Sequence, residues 1–178
     1  DLALADIDRE TVRKYLRRAE LDPDTPTETV LRNLGLLTAR GIGNGAALLF
    51  AENPQRFAVD AQTKCGRFRG TDSVDFLDEQ TVDGTVLSQL DAALTFIARN
   101  TRQAIRITGR PERERVPEYP DEALREALVN ALCHRDYAMP GTVQVRIYDS
   151  RLEVWNPGRL PPELTIDDLY RPHGSYPR

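Results

Sequence analysis

A chain of 178 residues with 40% hydrophobic and 29% charged residues can close a core, which excludes gross disorder. Its net charge of -4 and pI near 5.3 argue against a whole-surface nucleic-acid binder but leave room for a local basic patch. The longest apolar run, Ala46 to Ala51, is far too short to span a bilayer, and Cys65, Cys133 and two distant histidines have no zinc-ligand spacing. A reducing cytosol is therefore the default compartment, and the opening "DLALADID", without a basic stretch, predicts no signal peptide. The chain is expected to be a piece of a longer protein.

The first predicted element is a helix in "DIDRETVRKYLRRAEL", capped by Asp6 or Asp8, with Val12, Leu16 and Ala19 as its apolar stripe. A turn and a short helix follow in "DPDTPTETVLRNLGLL". Thr25 suits the N-cap, Pro26 the first helical position and Glu28 the third position of a capping box, and Gly35 ends the helix. "GIGNG" reads as a turn before "AALLFA". From Phe57 the pattern becomes β-leaning, in "FAVDAQTKCGRFRG" and "VDFLDEQTVDG". "TVLSQLDAALTFIARNT" is an amphipathic helix with Val86, Leu90, Ala93, Leu94 and Ile97 on one face. "QAIRITG" and "RERVPEY" read as strands around a Gly-Arg-Pro turn. A helix starts after Pro120 with Asp121 and Glu122 in its first turn. "GTVQVRIYDSRLEVWNPG" is a hairpin, with Val143, Val145 and Ile147 alternating before a short turn and Leu152 and Val154 after it. The Pro-rich tail reads as loop. The fold class is α+β: a helical region over residues 1–55, then an α/β region over 56–178.

Several motifs fail on context. "GIGNGA" has dinucleotide-loop spacing but no good strand before it and no acidic ribose ligand after it, so a plain turn is expected. "HRD", at His134 to Asp136, has Gly141 where a protein kinase needs Asn, and no Asp-Phe-Gly follows. "RKYLRR" is flanked by acids and reads as a solvated helix face.

"LREALVNALCHRDY" is different. Leu124, Leu128, Ala131 and Leu132 form its apolar face, while Glu126, Asn130 and His134 form a polar ridge at four-residue steps. Flanked by Ala127, Val129 and Cys133, the ridge is expected in a partly apolar setting, where a carboxylate needs a partner. Either a functional site or a structural network, with Arg125, Arg135 or an Arg elsewhere as partner, satisfies that need.

A helix with Glu-x-x-x-Asn, then two strands, then Asn156-Pro157-Gly158, resembles the start of the GHKL (Bergerat-type) ATP-binding fold of gyrases, chaperones and histidine kinases. The resemblance implies that Glu126 is a general base for the attacking water and that Asn130 binds Mg²⁺. It implies ATP as cofactor, with Asn156 and Gly158 at the adenine and His134 among the nucleotide-binding residues. Mg²⁺ takes hard oxygen ligands and keeps several waters, so one Asn plus phosphates suffices. Phosphoryl transfer needs chiefly positioning and charge neutralisation.

A wider resemblance covers nearly the whole chain. "YPDEALREALVNALCHRDY", "VRIYDSRLEVWNPGRLPPELTIDDL", "ALLFAENPQRF", "RFRGTD" and "DEQTVDGTVLSQLDAALTFI" are similar to a bacterial and archaeal family of transcriptional regulators, also called RecG-like ATP-dependent DNA helicases. In that family an AlbA-like, Schlafen-type nucleic-acid domain precedes this region and a GHKL-like remainder follows. Residues 119–178 correspond to the GHKL-like helix and hairpin. The resemblance implies a cytoplasmic, DNA-associated regulator. DNA would be met by domains outside this chain or at its N-terminus, homo-oligomerisation is compatible, and no membrane is involved. Departures are specific: Asn156 stands for the adenine-reading Asp, Leu160 for a second glycine, and no Gly-x-Gly phosphate lid follows. The nucleotide site is thus expected to be incomplete and this piece inactive as an enzyme, any ATPase activity residing in the parent. A helicase motor is not expected, since no Gly-x-x-x-x-Gly-Lys-Ser/Thr occurs. The alternative is a non-binding scaffold or oligomerisation module beside DNA-binding domains. Direct DNA binding by this chain would draw on its N-terminal helices and on Arg67 and Arg69.

Overall fold

The structure, a computed structural model, describes residues 2–106, 114–159 and Asp167. Helix α1 (Arg9–Arg18) starts at Asp8, whose carboxylate accepts from the Glu10 and Thr11 amides and the Thr11 hydroxyl. Those bonds hold the Asp8 carboxyl below its ordinary pKa, the Thr11 hydroxyl contributing most. A depressed folded value means the cap is at full strength above about pH 4 and fades as pH falls through that folded value. Asp8→Ala should cost about 1 kcal/mol at pH 7 and less at pH 3, measured by urea unfolding at both.

Val12 and Leu16 are buried as their spacing predicts, but Ala19 is the exposed C-cap. Helix α2 (Thr27–Asn33) departs from its predicted start. The Thr25 hydroxyl donates to the Asp22 carbonyl inside the preceding turn, so Thr25 does not cap, and Glu28 pairs with Arg32 instead of closing a capping box. The helix ends at Gly35, as expected, with φ +69°. A two-rung hairpin, β1 (Leu37–Thr38) and β2 (Gly41–Ile42), leads into α3 (Asn44–Phe50). One cluster of buried side chains, centred on Val12, Leu16, Leu31, Ala46 and Phe50, joins the three helices. The basic side of α1 is largely neutralised: Arg13, Arg17 and Arg18 pair with Asp24, Glu10 and Asp91.

The second cluster is built on a four-stranded sheet in the order β4-β3-β7-β8: β3 (Thr63–Phe68), β4 (Phe76–Val82), β7 (Val143–Ile147) and β8 (Leu152–Trp155). β3 runs parallel to β7, and the other pairs are antiparallel. Alternation decides the faces. Cys65, Val143, Val145 and Ile147 point toward α4 (Val86–Asn100) and α5 (Asp121–Cys133), meeting Leu90, Ala93, Phe96, Ile97, Leu124 and Leu128. Burial pushes the Cys65 thiol up to about 12, so it packs as a small hydrophobe. A separate hairpin, β5 (Gln103–Arg106) with β6 (Glu114–Pro117), connects α4 to α5; its predicted Gly-Arg-Pro turn and the tail beyond Arg159, apart from Asp167, lie outside the described residues. The α+β class holds.

Gln89 was not expected in the core, yet it is 2% exposed on the inner face of α4. It accepts from the Thr63 hydroxyl at 2.9 Å and donates to the carbonyls of Ala61 and Gly84 at 2.8 and 2.9 Å. Gln55 donates to the same two carbonyls and accepts from the Gly84 amide. The corner between β4 and α4 is thereby tied to the segment entering β3. Among the described residues, no helix is long and apolar enough to cross a membrane.

Candidate nucleotide site

Helix α5 sets the geometry of the ridge. Its inner side chains Leu124, Leu128, Ala131 and Leu132 are buried against the sheet and α4, so residues on the opposite side face solvent. Glu126, Asn130 and His134 are all exposed, as are Ala127 and Cys133. The expected partly apolar setting is therefore not found: nothing described packs over that side of the helix. Glu126 meets neither Arg125 nor Arg135. Its Oε1 accepts from the Asn130 side-chain nitrogen at 2.9 Å, one helical turn away. That bond engages the amide nitrogen with the carboxylate and leaves the Asn130 amide oxygen without a hydrogen bond among the described residues; an amide oxygen is the kind of hard donor a magnesium ion takes. Among the described residues no cluster of three or more His, Cys, Asp or Glu side chains could hold a metal unaided. The donor set therefore fits a cation carried in on phosphate oxygens and does not fit a protein-only cage.

The end of α5 is joined to the turn after β8. His134 is the C-cap, its amide bonded to the Asn130 carbonyl at 2.9 Å. The next amide but one, Asp136, donates to the Pro157 carbonyl at 2.9 Å. Pro157 is buried, Asn156 half-buried and Gly158 exposed. Gly158 is required by the close approach: a Cβ there would lie 3.1 Å from the His134 carbonyl oxygen and 3.1 Å from the Asn156 amide nitrogen. The structure thus brings His134, Asn156 and Gly158 together at the C-terminal end of α5. By the helical rise, Asn130 follows about 6 Å further along the helix and Glu126 about 12 Å.

Two further side chains, Arg135 and Tyr137, are engaged just past the end of α5. Arg135, 5% exposed, donates to the Gly141 carbonyl at 2.6 Å and lies 4.8 Å from the centroid of the Tyr137 ring. Its Nε has no partner among the described residues, and burial pulls its pKa down, against the opposing pull of Tyr137 and Asp60. Tyr137 donates its hydroxyl to the Leu132 carbonyl, and the Gly141 amide donates to Asp60. Burial pushes the Tyr137 phenol above its ordinary value. Arg135 is thus engaged with Gly141 and Tyr137 and not with Glu126, the partner its place in the sequence suggests.

A family described as "Putative ATP-dependent DNA helicase recG C-terminal" matches residues 141–178. The described part of the matched stretch consists of β7, β8 and the Asn156–Gly158 turn. No curated protein matches the chain. Among solved structures the chain is similar to the DIP2311 protein from Corynebacterium diphtheriae, with a TM-score of 0.73 and 27% identity over 94% of this chain. The chain spans about a third, 34%, of that protein's length. The matched family segment begins after α5, so Glu126, Asn130 and His134 lie outside it, and the Asp136–Pro157 and Arg135–Gly141 hydrogen bonds tie the end of α5 to it.

Proposed function

We propose that this chain carries the nucleotide-facing helix and base-side turn of a divergent GHKL-like module, within a longer DNA-associated transcriptional regulator. The observation that carries the reading is the junction of α5 with the Asn156–Gly158 turn, which sets out the polar groups in one order along one helix. Asn156 would accept a hydrogen bond from the adenine amino group, uncharged where the GHKL fold has a carboxylate. Gly158 lets that turn approach the helix end. His134 and Asn130 would follow on the phosphate side, with the Asn130 amide oxygen as a ligand for Mg²⁺, and Glu126 would orient a water at the terminal phosphate. A magnesium ion bound there would supply charge neutralisation across the phosphates. DNA would be contacted by segments outside this chain or at its N-terminus.

Exposure of Glu126 and Asn130 supports this reading over a purely structural network. Side chains that only hold a fold together are buried or networked into it, whereas Glu126 and Asn130 are exposed and, among the described residues, their side-chain hydrogen bond is to each other. Asn130→Ala and Glu126→Gln should therefore leave the melting of the unliganded protein within about 0.5 kcal/mol of wild type. Mg·ATP at a hundred times its Kd should stabilise the full-length wild-type protein by about 2.7 kcal/mol and the Asn130 variant much less. A folded full-length protein that shows no thermal shift with millimolar Mg·ATP sinks the nucleotide reading and leaves the scaffold and oligomerisation role.

A further inference from the structure

The face of the sheet turned away from α4 and α5 carries three cross-strand rows of side chains. The first is Thr81, Lys64, Gln144 and Trp155; the second is Glu79, Gly66, Arg146 and Glu153. The third is aromatic: Phe76 beside Phe68, ring centroids 4.5 Å apart, and Phe68 stacked on Tyr148 at 5.3 Å. The loop between β3 and β4 closes over the inner part of that row, the Ser73 and Tyr148 hydroxyls sharing a 2.6 Å hydrogen bond, so Phe68 and Tyr148 are buried. Phe76 and Trp155 remain 55% and 49% exposed. Gly66 forms the floor between the rows. A Cβ there would stand 3.0 Å from the Phe68 ring and 3.1 Å from Phe76, so only glycine lets the rings lean over it. The result is an open trough of about 360 Å³ lined by Lys64, Gly66, Phe76, Glu79, Gln144 and Arg146.

This face departs from the acidic balance of the chain: Lys64 and Arg146, with Arg151 over the Tyr148 ring, stand against Glu79 and Glu153. Among the described residues, neither Lys64 nor Arg146 makes an ion pair; Arg146 donates only to the Gln144 amide oxygen. Glu153 on the same face is paired with Arg151 at 2.6 Å, which leaves Glu79 as the carboxylate facing the two cations. A chain of net charge -4 thus presents here two cations without ion-pair partners among the described residues, Lys64 and Arg146, between two exposed aromatic rings. By strand spacing and rise, Trp155 and Phe76 lie roughly 20 Å apart on the diagonal, with Lys64 and Arg146 between them.

We propose that this trough binds a single-stranded polynucleotide, with bases stacked on Phe76 and Trp155 and intervening phosphates on Lys64 and Arg146. A double helix hides the flat faces of its bases, whereas a single strand offers them to aromatic side chains while its backbone follows a basic groove. The Gln144 amide lies beside the path as a hydrogen-bonding group for a base edge. The proposal is independent of the nucleotide site, which lies on the helix side of the sheet.

Trp155 is the single tryptophan of the chain and so reports directly on the face. Oligo(dT) and oligo(rU) of about 12 nucleotides, titrated at about 20 mM salt, should quench its fluorescence, and the two arms decide which sugar is preferred. Two phosphate contacts give log K a slope of about -1.4 against log salt. Lys64→Glu with Arg146→Glu should weaken binding at least about tenfold and flatten that slope, whereas Phe76→Ala should weaken it about tenfold with the slope unchanged. All of these positions are exposed or half-buried, so circular dichroism melts of the variants should match that of the wild type. Absence of quenching at about 100 µM oligonucleotide overturns the proposal, as does equal competition by a duplex of the same length or indifference to the charge reversals. Self-association of the chain that is lost in Trp155→Ala, without oligonucleotide binding, would assign the face to a second copy and also overturn it.

Discussion

Phe96→Ala lowers the unfolding free energy by roughly 4 kcal/mol, the largest effect expected of any single truncation in this chain. Phe96 has no solvent exposure and sits where α4 crosses the sheet, among Leu90, Ala93, Ile97 and the inner side chains of β3 and β7. Truncation removes the transfer free energy of a benzyl group and leaves a cavity that close-packed neighbours fill only in part. The Arg99 guanidinium, 4.8 Å from the ring centroid, also loses its aromatic face. Phe96→Leu keeps most of the volume and should recover more than half of the loss. Urea unfolding followed by circular dichroism measures both, and a midpoint shift at unchanged slope is the expected form. A loss below about 1 kcal/mol would mean that α4 is not packed as described.

Truncating Gln55 and Gln89 together should cost about 3–5 kcal/mol, well beyond the sum of the single changes. The carbonyls of Ala61 and Gly84 each accept from both glutamines, so either side chain alone keeps both oxygens satisfied. Gln55→Ala should therefore cost only about 1 kcal/mol. Gln89→Ala should cost somewhat more, because it also strands the buried Thr63 hydroxyl. Only the double variant leaves two carbonyls without donors at the β4–α4 corner, and a buried orphan acceptor costs more than one ordinary hydrogen bond contributes. A double-mutant cycle with a coupling below about 0.5 kcal/mol would show that water replaces the amides there.

These two effects contrast with the behaviour expected of the polar ridge. Leu128 and Asn130 stand two residues apart on α5, yet one is fully buried and the other exposed. The first belongs to the fold, and the second is available to a ligand. The same split runs across the sheet, where Val145 faces the helices while Gln144 and Arg146 face the open trough.

Sequence alone determined most local elements, though "GIGNG", read as a turn, holds β2 and the start of α3. The 3.6-residue period of Val86, Leu90, Ala93 and Ile97, the alternation of Val143, Val145 and Ile147, and the breaks at Gly35 and Pro120 act over a few residues, and each recurs as α4, β7 or a helix end. Capping was legible only where one acceptor was in reach. Asp8 holds its helix start, while Thr25 had a second local partner in the Asp22 carbonyl and took it. The polar ridge was also visible in sequence, because helical spacing sets which residues share a face. Its surroundings were not, since exposure depends on what other segments cover: α4 and the sheet meet only the opposite side of α5. The parallel pairing of β3 with β7 joins residues about 80 positions apart, and no local pattern selects that partner. That pairing decides the rest. It lines up Gly66 with Arg146 and Lys64 with Gln144, and through β8 it sets Trp155 in the row of Lys64, making a trough from residues that sequence leaves scattered. The periods of helix and strand are properties of the backbone, whereas a site is a property of contacts between distant segments, which only the closing of the sheet brings about.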